Sequence, residues 1–217
     1  MNLYETMSKT MTDQTDIKEY WCWQNKRDSG ISHETCQKII NLGEKNWGKG
    51  WQEAGIGNPN FQHLPVDKIR KSDVVFLNEE WIYELICPFI KMANKQAGWK
   101  YNIKGLTECQ LTRYTKGGFY TWHKDALGSH NEVFDGSNCT NENIYGYTRK
   151  LSITVVLNSD FEGGEFQIRG LQKDQQVPPL KEGSIIVFPS FIDHRIKPVT
   201  KGVRYSLVAW FLGPPFV

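Results

Sequence analysis

The sequence is poor in the features that mark several common protein classes. Its five cysteines, Cys22, Cys36, Cys87, Cys109 and Cys139, are scattered, odd in number and form no C-x-x-C pair. That excludes a disulfide framework or a structural zinc ribbon as the organising device, and a reducing cytoplasm is the compartment this usage fits. No run approaches the roughly 18 apolar residues of a membrane span, and the opening MNLYETMSKTMTDQTD has no apolar stretch behind its charges, so neither a membrane anchor nor a leader is expected. The net charge is only +2, from 26 basic and 24 acidic residues mixed along the chain. Without a basic block to follow a phosphate backbone, nucleic acid is not indicated as a partner, though it is not excluded. There is no internal repeat.

What is present suits a folded enzyme-sized unit. The 217 residues are 39% apolar and 13% aromatic, with eight tryptophans, enough to bury a core in one structural domain. Residues 1–17 are polar and read as a flexible lead-in, 18–98 as a helical and loop support region, and 99–217 as a β core. The aromatic cluster Tyr20-Trp21-Cys22-Trp23 is expected to pack on the core as a strand or turn. Ser32 caps a helix with Cys36, Ile39 and Ile40 on its apolar face and Gly43 as its terminator. Asn46–Pro65 reads as a loop whose tryptophans turn inward. Asp73–Leu77 reads as a strand, Asn78 as the cap of a helix carrying Trp81, Ile82, Leu85, Ile86, Phe89, Ile90 and Ala93 on one face, Pro88 as its bend and Gly98 as its end.

After residue 98 the texture changes to short runs between turns: Trp99–Ile103, Cys109–Tyr114, Leu151–Leu157, Gly164–Ile168, Ser184–Phe188 and Arg204–Phe211. Such spacing predicts an all-β sandwich or barrel. The segment Ala126–Arg149, rich in Asn, Gly and Ser, is long for a structureless loop and is expected to act as a lid that orders on substrate binding.

The chemistry centres on His123-Lys124-Asp125, which follows a strand-like run, and on a distant His194. In extended chain, residues two apart share a face, so an imidazole and a carboxylate are presented together. Two histidines and one carboxylate on one side of a metal leave positions open opposite, the arrangement that suits iron(II) oxygenases. Arg204, with Ser206 two residues on, adds a second element: a dicarboxylate chelating the metal by its keto-acid end needs a cation at its far end, and arginine supplies a bidentate one. The neighbours Val203, Leu207, Val208, Ala209 and Trp210 bury that strand, and a buried arginine needs a partner. His33 and His63 lack a carboxylate two residues away and are expected to be solvated, while His130 lies in the long loop, where it stays a minor candidate for touching substrate.

With these motifs in order, the sequence resembles the prolyl 4-hydroxylase-like branch of the iron(II) and 2-oxoglutarate dioxygenases, including the bacterial PKHD-type hydroxylases. The likeness covers roughly 69–216. It rests on Tyr114, Gly117, Tyr120, His123 and Asp125 in a Y-x-x-G-x-x-Y-x-x-H-x-D pattern, Arg149-x-Leu151-Ser152 leading to Val156-Leu157-Asn158, Phe161-x-Gly163-Gly164-Glu165-Phe166, Gly183 to Pro189, His194, and Gly202-x-Arg204-Tyr205-Ser206-Leu207-x-x-Trp210. The resemblance implies a mainly β fold, a double-stranded β-helix (cupin-like jelly roll) buttressed by N-terminal helices. It implies iron(II) held by His123, Asp125 and His194, 2-oxoglutarate as cosubstrate bound by Arg204 with Tyr114, Ser206 and Trp210, dioxygen as the other reactant, and ascorbate as reductant. The implied activity is hydroxylation of an unactivated C–H bond, on a peptidyl proline or similar side chain. The same chemistry on a free amino acid, small metabolite or nucleobase, and a catalytically silent binding module on the same scaffold, are the alternatives. Two departures stand out: Val156 occupies a position where many relatives carry tyrosine, and Arg195 follows His194 where many have a small apolar residue.

Overall fold

The computed structural model of the chain describes residues 18–19, 22–25, 30–45, 52–53, 65–126, 131–170, 174–176 and 180–217. The lead-in 1–17, Tyr20 and Trp21, residues 46–51 and 54–64 of the long loop, and 127–130 lie outside the described residues. In chain order the described elements are β1 (Lys18–Glu19), β2 (Cys22–Gln24), α1 (His33–Lys45), β3 (Gln52–Glu53), α2 (Val66–Ile69), β4 (Arg70–Lys71), β5 (Asp73–Leu77), α3 (Glu80–Gln96), β6 (Gly105–Leu106), β7 (Cys109–Tyr114), β8 (Phe119–His123), a 3-10 turn (Glu142–Ile144), β9 (Thr148–Val156), β10 (Glu162–Gly163), β11 (Phe166–Arg169), β12 (Asp174–Gln176), β13 (Ile185–Pro189), β14 (His194–Ile196), β15 (Val199–Lys201) and β16 (Arg204–Gly213).

These strands form two main antiparallel sheets. The larger runs β1-β2-β13-β9-β16-β7-β5-β3, with β6 on β16; the smaller runs β12-β11-β14-β8-β4. This is the mainly β jelly roll with few helices that the resemblance implied. Strands β1, β2, β3 and β5 come from before residue 98, so the large sheet draws on both sides of the expected boundary.

Period-two alternation explains why the large sheet has two different faces. Val75 and Leu77 of β5, Cys109 and Leu111 of β7, Leu151, Ile153 and Val155 of β9, Ile185 and Val187 of β13, and Leu207, Ala209 and Phe211 of β16 join one core. That core also holds Cys36, Ile39 and Ile40 of α1 and Ile82, Ile86, Ile90 and Ala93 of α3. The intervening residues, Val74, Phe76, Gln110, Thr112, Tyr114, Thr154, Phe188, Ser206, Val208 and Trp210, face a cavity instead. The helices thus close one face of the sheet and leave the other for the small sheet and the site.

Four local expectations change. Helix α1 runs on to Lys45, so Gly43 does not end it; a Cβ at Gly43 would sit 2.1 Å from Leu111 Cδ2, so the glycine lets α1 approach β7. Helix α3 is entered from Glu79 rather than capped by Asn78, and its first turn closes through Ile82 N–H donating to the Glu79 carbonyl. Trp99–Ile103 is not a strand: Lys100 has φ +56°, and both amide groups of Tyr101 are taken by the Asn94 side chain at 2.9 Å. The segment 131–147 has structure of its own. Phe134 N–H donates to Tyr147, Gly146 N–H donates back to Phe134, and Asp135 caps the turn at Ser137. Ser32 does accept from the Thr35 N–H at 3.3 Å, and Gly98, at φ +73°, follows the end of α3.

Candidate active site

Strands β8 and β14 of the small sheet pair with His123 directly opposite His194, which brings the two imidazole centroids to 4.1 Å. The register between them shifts by one residue before Ile196 meets Tyr120. The extra residue in β8 sets Tyr120 on the same face as His123, where the rings stack at 3.4 Å. Past His123 the chain turns, and the Ser190 carbonyl accepts from the N–H of both Asp125 and Ala126, at 2.9 and 3.0 Å. This turn aims Asp125 inward while Lys124 is exposed.

The metal candidates foreseen in the sequence therefore converge. One ligand atom from each of His123, Asp125 and His194 lies within 4.8 Å of the others, and all three residues are buried. Asp125 Oδ1 is 3.7 Å from His123 Nε2, and Oδ2 is 3.6 Å from His194 Nε2. Each imidazole turns its Nδ1 to a backbone carbonyl two residues upstream, Thr121 at 2.8 Å and Ile192 at 3.0 Å. With Nδ1–H donating there, Nε2 keeps its lone pair for a metal. Burial, then the neighbouring His194, holds His123 well below its ordinary 6.5, so it is neutral. For Asp125 burial acts upward, but His194, His123, the Ser152 hydroxyl and Arg149 outweigh it and keep the carboxyl below its ordinary 3.8. A neutral His123 and an ionised Asp125 are in the states that bind a divalent cation. Asp125 Oδ2 is buried without a hydrogen-bond partner, an acceptor that a metal would satisfy.

Arg204 begins β16, paired with Tyr114 of β7. It is 1% exposed, and no acidic side chain meets it among the described residues. Its Nη1 donates to Ser206 Oγ at 3.0 Å, and its Nη2 has no acceptor. Its guanidinium lies 5.6 Å from the centre of the Tyr114 ring. A buried cation with an unspent donor, beside two hydroxyl groups, fits a carboxylate. Room for it depends on Gly164, at φ +65°, where a Cβ would come within 2.9 Å of Arg204 Cδ. Tyr114 and Ser206 line a cavity of about 350 Å³ that also includes His123, Asp125, His194 and Trp210. Trp210 is six residues, about 20 Å, farther along β16 than Arg204.

Sequence reasoning gave no role to Arg149, Tyr120 or Arg70, all of which line this cavity. Arg149 shares its parity along β9 with the core-facing Leu151 and Ile153. A register shift opposite Phe211 and Leu212 reverses it, pairing Arg149 with Leu212 and turning its side chain inward. Its guanidinium then lies 4.2 Å from the Trp210 ring centre, with Nη1 donating to the Asp125 carbonyl at 2.9 Å. Arg70 covers the other side of Tyr120 at 4.6 Å, and burial pushes the Tyr120 hydroxyl up to about 12. The available signals were Tyr120 and Arg149, each within a motif of the resemblance; the bulges left none. His33 is exposed and meets Glu182 at 2.6 Å, away from the site. His63 and His130 lie outside the described residues.

Comparison with known proteins follows the same lines. Residues 109–212, from β7 to β16, match the family described as the 2OG-Fe(II) oxygenase superfamily. A PKHD-type hydroxylase of Idiomarina loihiensis is 30% identical over 109 residues, 49% of this chain and 43% of its own. A PKHD-type hydroxylase of a Synechococcus species is 26% identical over 195 residues, 83% of this chain and 74% of its own. The first of these matches thus spans less than half the relative's length. Among solved structures, a Trichoplax adhaerens prolyl hydroxylase in complex with a hypoxia inducible factor oxygen degradation domain peptide fragment superposes with a TM-score of 0.66 at 18% identity, covering 96% of this chain and 90% of that one. At that identity the likeness speaks for the fold.

Proposed function

Because residues 109–212 of this chain match the 2OG-Fe(II) oxygenase superfamily, we propose that it is an iron(II)- and 2-oxoglutarate-dependent hydroxylase. His123 Nε2, His194 Nε2 and one oxygen of Asp125 hold the metal. Arg204 holds the far carboxylate of 2-oxoglutarate through its unspent Nη2, with Ser206 and Tyr114 beside it. The observation that carries this is the buried set of three ligand atoms within 4.8 Å of one another, both histidines locked by their Nδ1 bonds.

When bound, the iron and cosubstrate supply the oxidising chemistry: one atom of dioxygen enters the substrate C–H bond as 2-oxoglutarate becomes succinate and carbon dioxide. The chain's own residues bind and orient. Thr121 and Ile192 fix the imidazole tautomers, Ser190 fixes the Asp125 turn, and Phe166 and Phe188, buried against each other and against His194, shield that ring from water. Ascorbate enters as the reductant that keeps the metal ferrous. A peptidyl proline is the preferred substrate. The structural neighbour named as a prolyl hydroxylase in complex with a peptide fragment supports it, as does a cavity whose Tyr120 and Trp210 walls suit a pyrrolidine ring.

Anaerobic titration with iron(II) and 2-oxoglutarate tests the centre. The weak visible charge-transfer band of a chelated keto acid is expected for the native protein and not for His123→Ala or His194→Ala. A band retained by both variants would overturn the ligand assignment. Substrate-dependent succinate formation, with and without ascorbate, across a panel of prolyl peptides and metabolites tests the rest.

A further inference from the structure

Two buried donors on one wall of the cavity have no acceptor: Arg149 Nε and Trp210 Nε1. They are neighbours, since the guanidinium lies over the indole at 4.2 Å. Native folds rarely leave such groups unmet, because a buried N–H forfeits its bond to water with nothing in return. Arg149 is turned inward only by the bulge in β9, a device that re-aims a side chain at the expense of regular pairing. Trp210 stands about 20 Å along β16 from Arg204, so a five-carbon diacid anchored at Arg204 and chelating the metal does not extend to it.

The charges of the cavity point the same way. The two positive charges of the metal and the one of Arg204 are balanced by the single charge of Asp125 and the two of 2-oxoglutarate. Arg70, Lys124 and Arg149 also line the cavity, and among the described residues Asp125 is its only carboxylate. The loaded site therefore keeps an excess of positive charge facing the substrate.

Resting on the assignment above, we propose that the substrate carries a carboxylate close to the carbon that is hydroxylated, and that Arg149 and Trp210 receive it through their unspent N–H groups. A carboxylate satisfies both donors and the surplus charge; a neutral carbonyl satisfies only the donors. The carboxylate comes either from a free small acid or from an acidic residue flanking the reacting residue in a peptide, and the two are chemically alike at this wall.

The test uses the full chain loaded anaerobically with iron(II) and 2-oxoglutarate and titrated by calorimetry with matched probes, followed in air by succinate release. One arm compares N-acetyl-L-proline with its amide. The other compares blocked peptides with a central proline and a flanking glutamate against their glutamine twins. In one arm the acid is expected to bind about ten- to a hundredfold more tightly than its neutral twin, and the arm that responds identifies the source. Arg149→Gln is expected to reduce that preference to about twofold or less, and Trp210→Phe, which keeps the ring beneath Arg149 but removes its N–H, to reduce it severalfold. Trp210→Phe also decides the matter if Arg149→Gln, by freeing the Asp125 carbonyl, no longer holds iron. Neutral twins bound as well as acids in both arms, no binding of any acid at about 10 mM, or a preference untouched by both variants would overturn the proposal. The charge-transfer band and substrate-free succinate of the same native sample report separately on the parent assignment.

Discussion

Arg204 shows how far a single residue can be read in advance. Its position in an apolar run required burial, burial required an anionic partner, and the described residues supply none, leaving Nη2 unmet. Arg204→Ala should therefore cost about 2–5 kcal/mol in 2-oxoglutarate binding with little change in iron affinity, and Tyr114→Phe about 1 kcal/mol. A titration that reverses this order would put the anchor on Tyr114. Gly164→Ala should destabilise the fold by about 1–2 kcal/mol, because alanine disfavours a left-handed backbone and its Cβ would press on Arg204; weakened cosubstrate binding should accompany the lower Tm. The ligands make acid sensitivity predictable too. Unfolded chains take up a proton on His123 near its ordinary 6.5 that the buried imidazole refuses, so its contribution to stability is complete above that value and declines as pH falls below it. Asp125, held below its ordinary 3.8, adds a further loss below that value. Metal-free protein should thus lose Tm from about pH 7.5 to about 5.5, and His123→Gln should flatten the decline. An unchanged slope in the variant would mean that another group titrates.

At the scale of elements, alternation and caps were legible where packing follows period. Cys109–Tyr114 stands as expected, and β9, β13 and β16 differ from the expected runs only at their ends. What was hidden depends on contacts between distant segments. Gly43 looked like a helix terminator because its use, contact with Leu111, lies in another element. Arg149 was read as the end of the long loop, because a bulge that turns its side chain toward the site leaves no mark in composition. The same holds for the local structure of 131–147, within the segment Ala126–Arg149 that was expected to act as a lid ordering on substrate binding. Its described part is tied internally and, through Asn131, to both backbone groups of Phe216 at 2.8 and 3.1 Å. Phe216 in turn packs edge-on against Tyr101 and Phe191. Asn131→Ala should speed amide exchange at Phe134 and Gly146 without altering iron binding. Equal exchange rates in the two proteins would show that the internal bonds suffice to hold the turn.

The whole molecule is a large sheet closed by helices on one face and by a small sheet on the other, with His123 and His194 on the small sheet, Asp125 in the turn just past it, and the proposed cosubstrate anchor on the large one. Occupying the site therefore ties the layers together. Iron(II) with 2-oxoglutarate at about a hundred times its dissociation constant should raise Tm by about 5–10 °C, and Asp125→Asn should abolish most of the gain; calorimetric scans of both proteins check this. The pairing of His123 directly across from His194 has one more consequence. A slip of β14 by one residue would send His194 to the outer surface and offer Arg195 in its place, so a slipped chain has no metal site. Metal uptake and strand alignment are then a single equilibrium, and the ion acts as a proofreader of the fold: chains that close the small sheet one step out of line go unrewarded, and supplying iron during refolding draws the population toward the one alignment able to hold it.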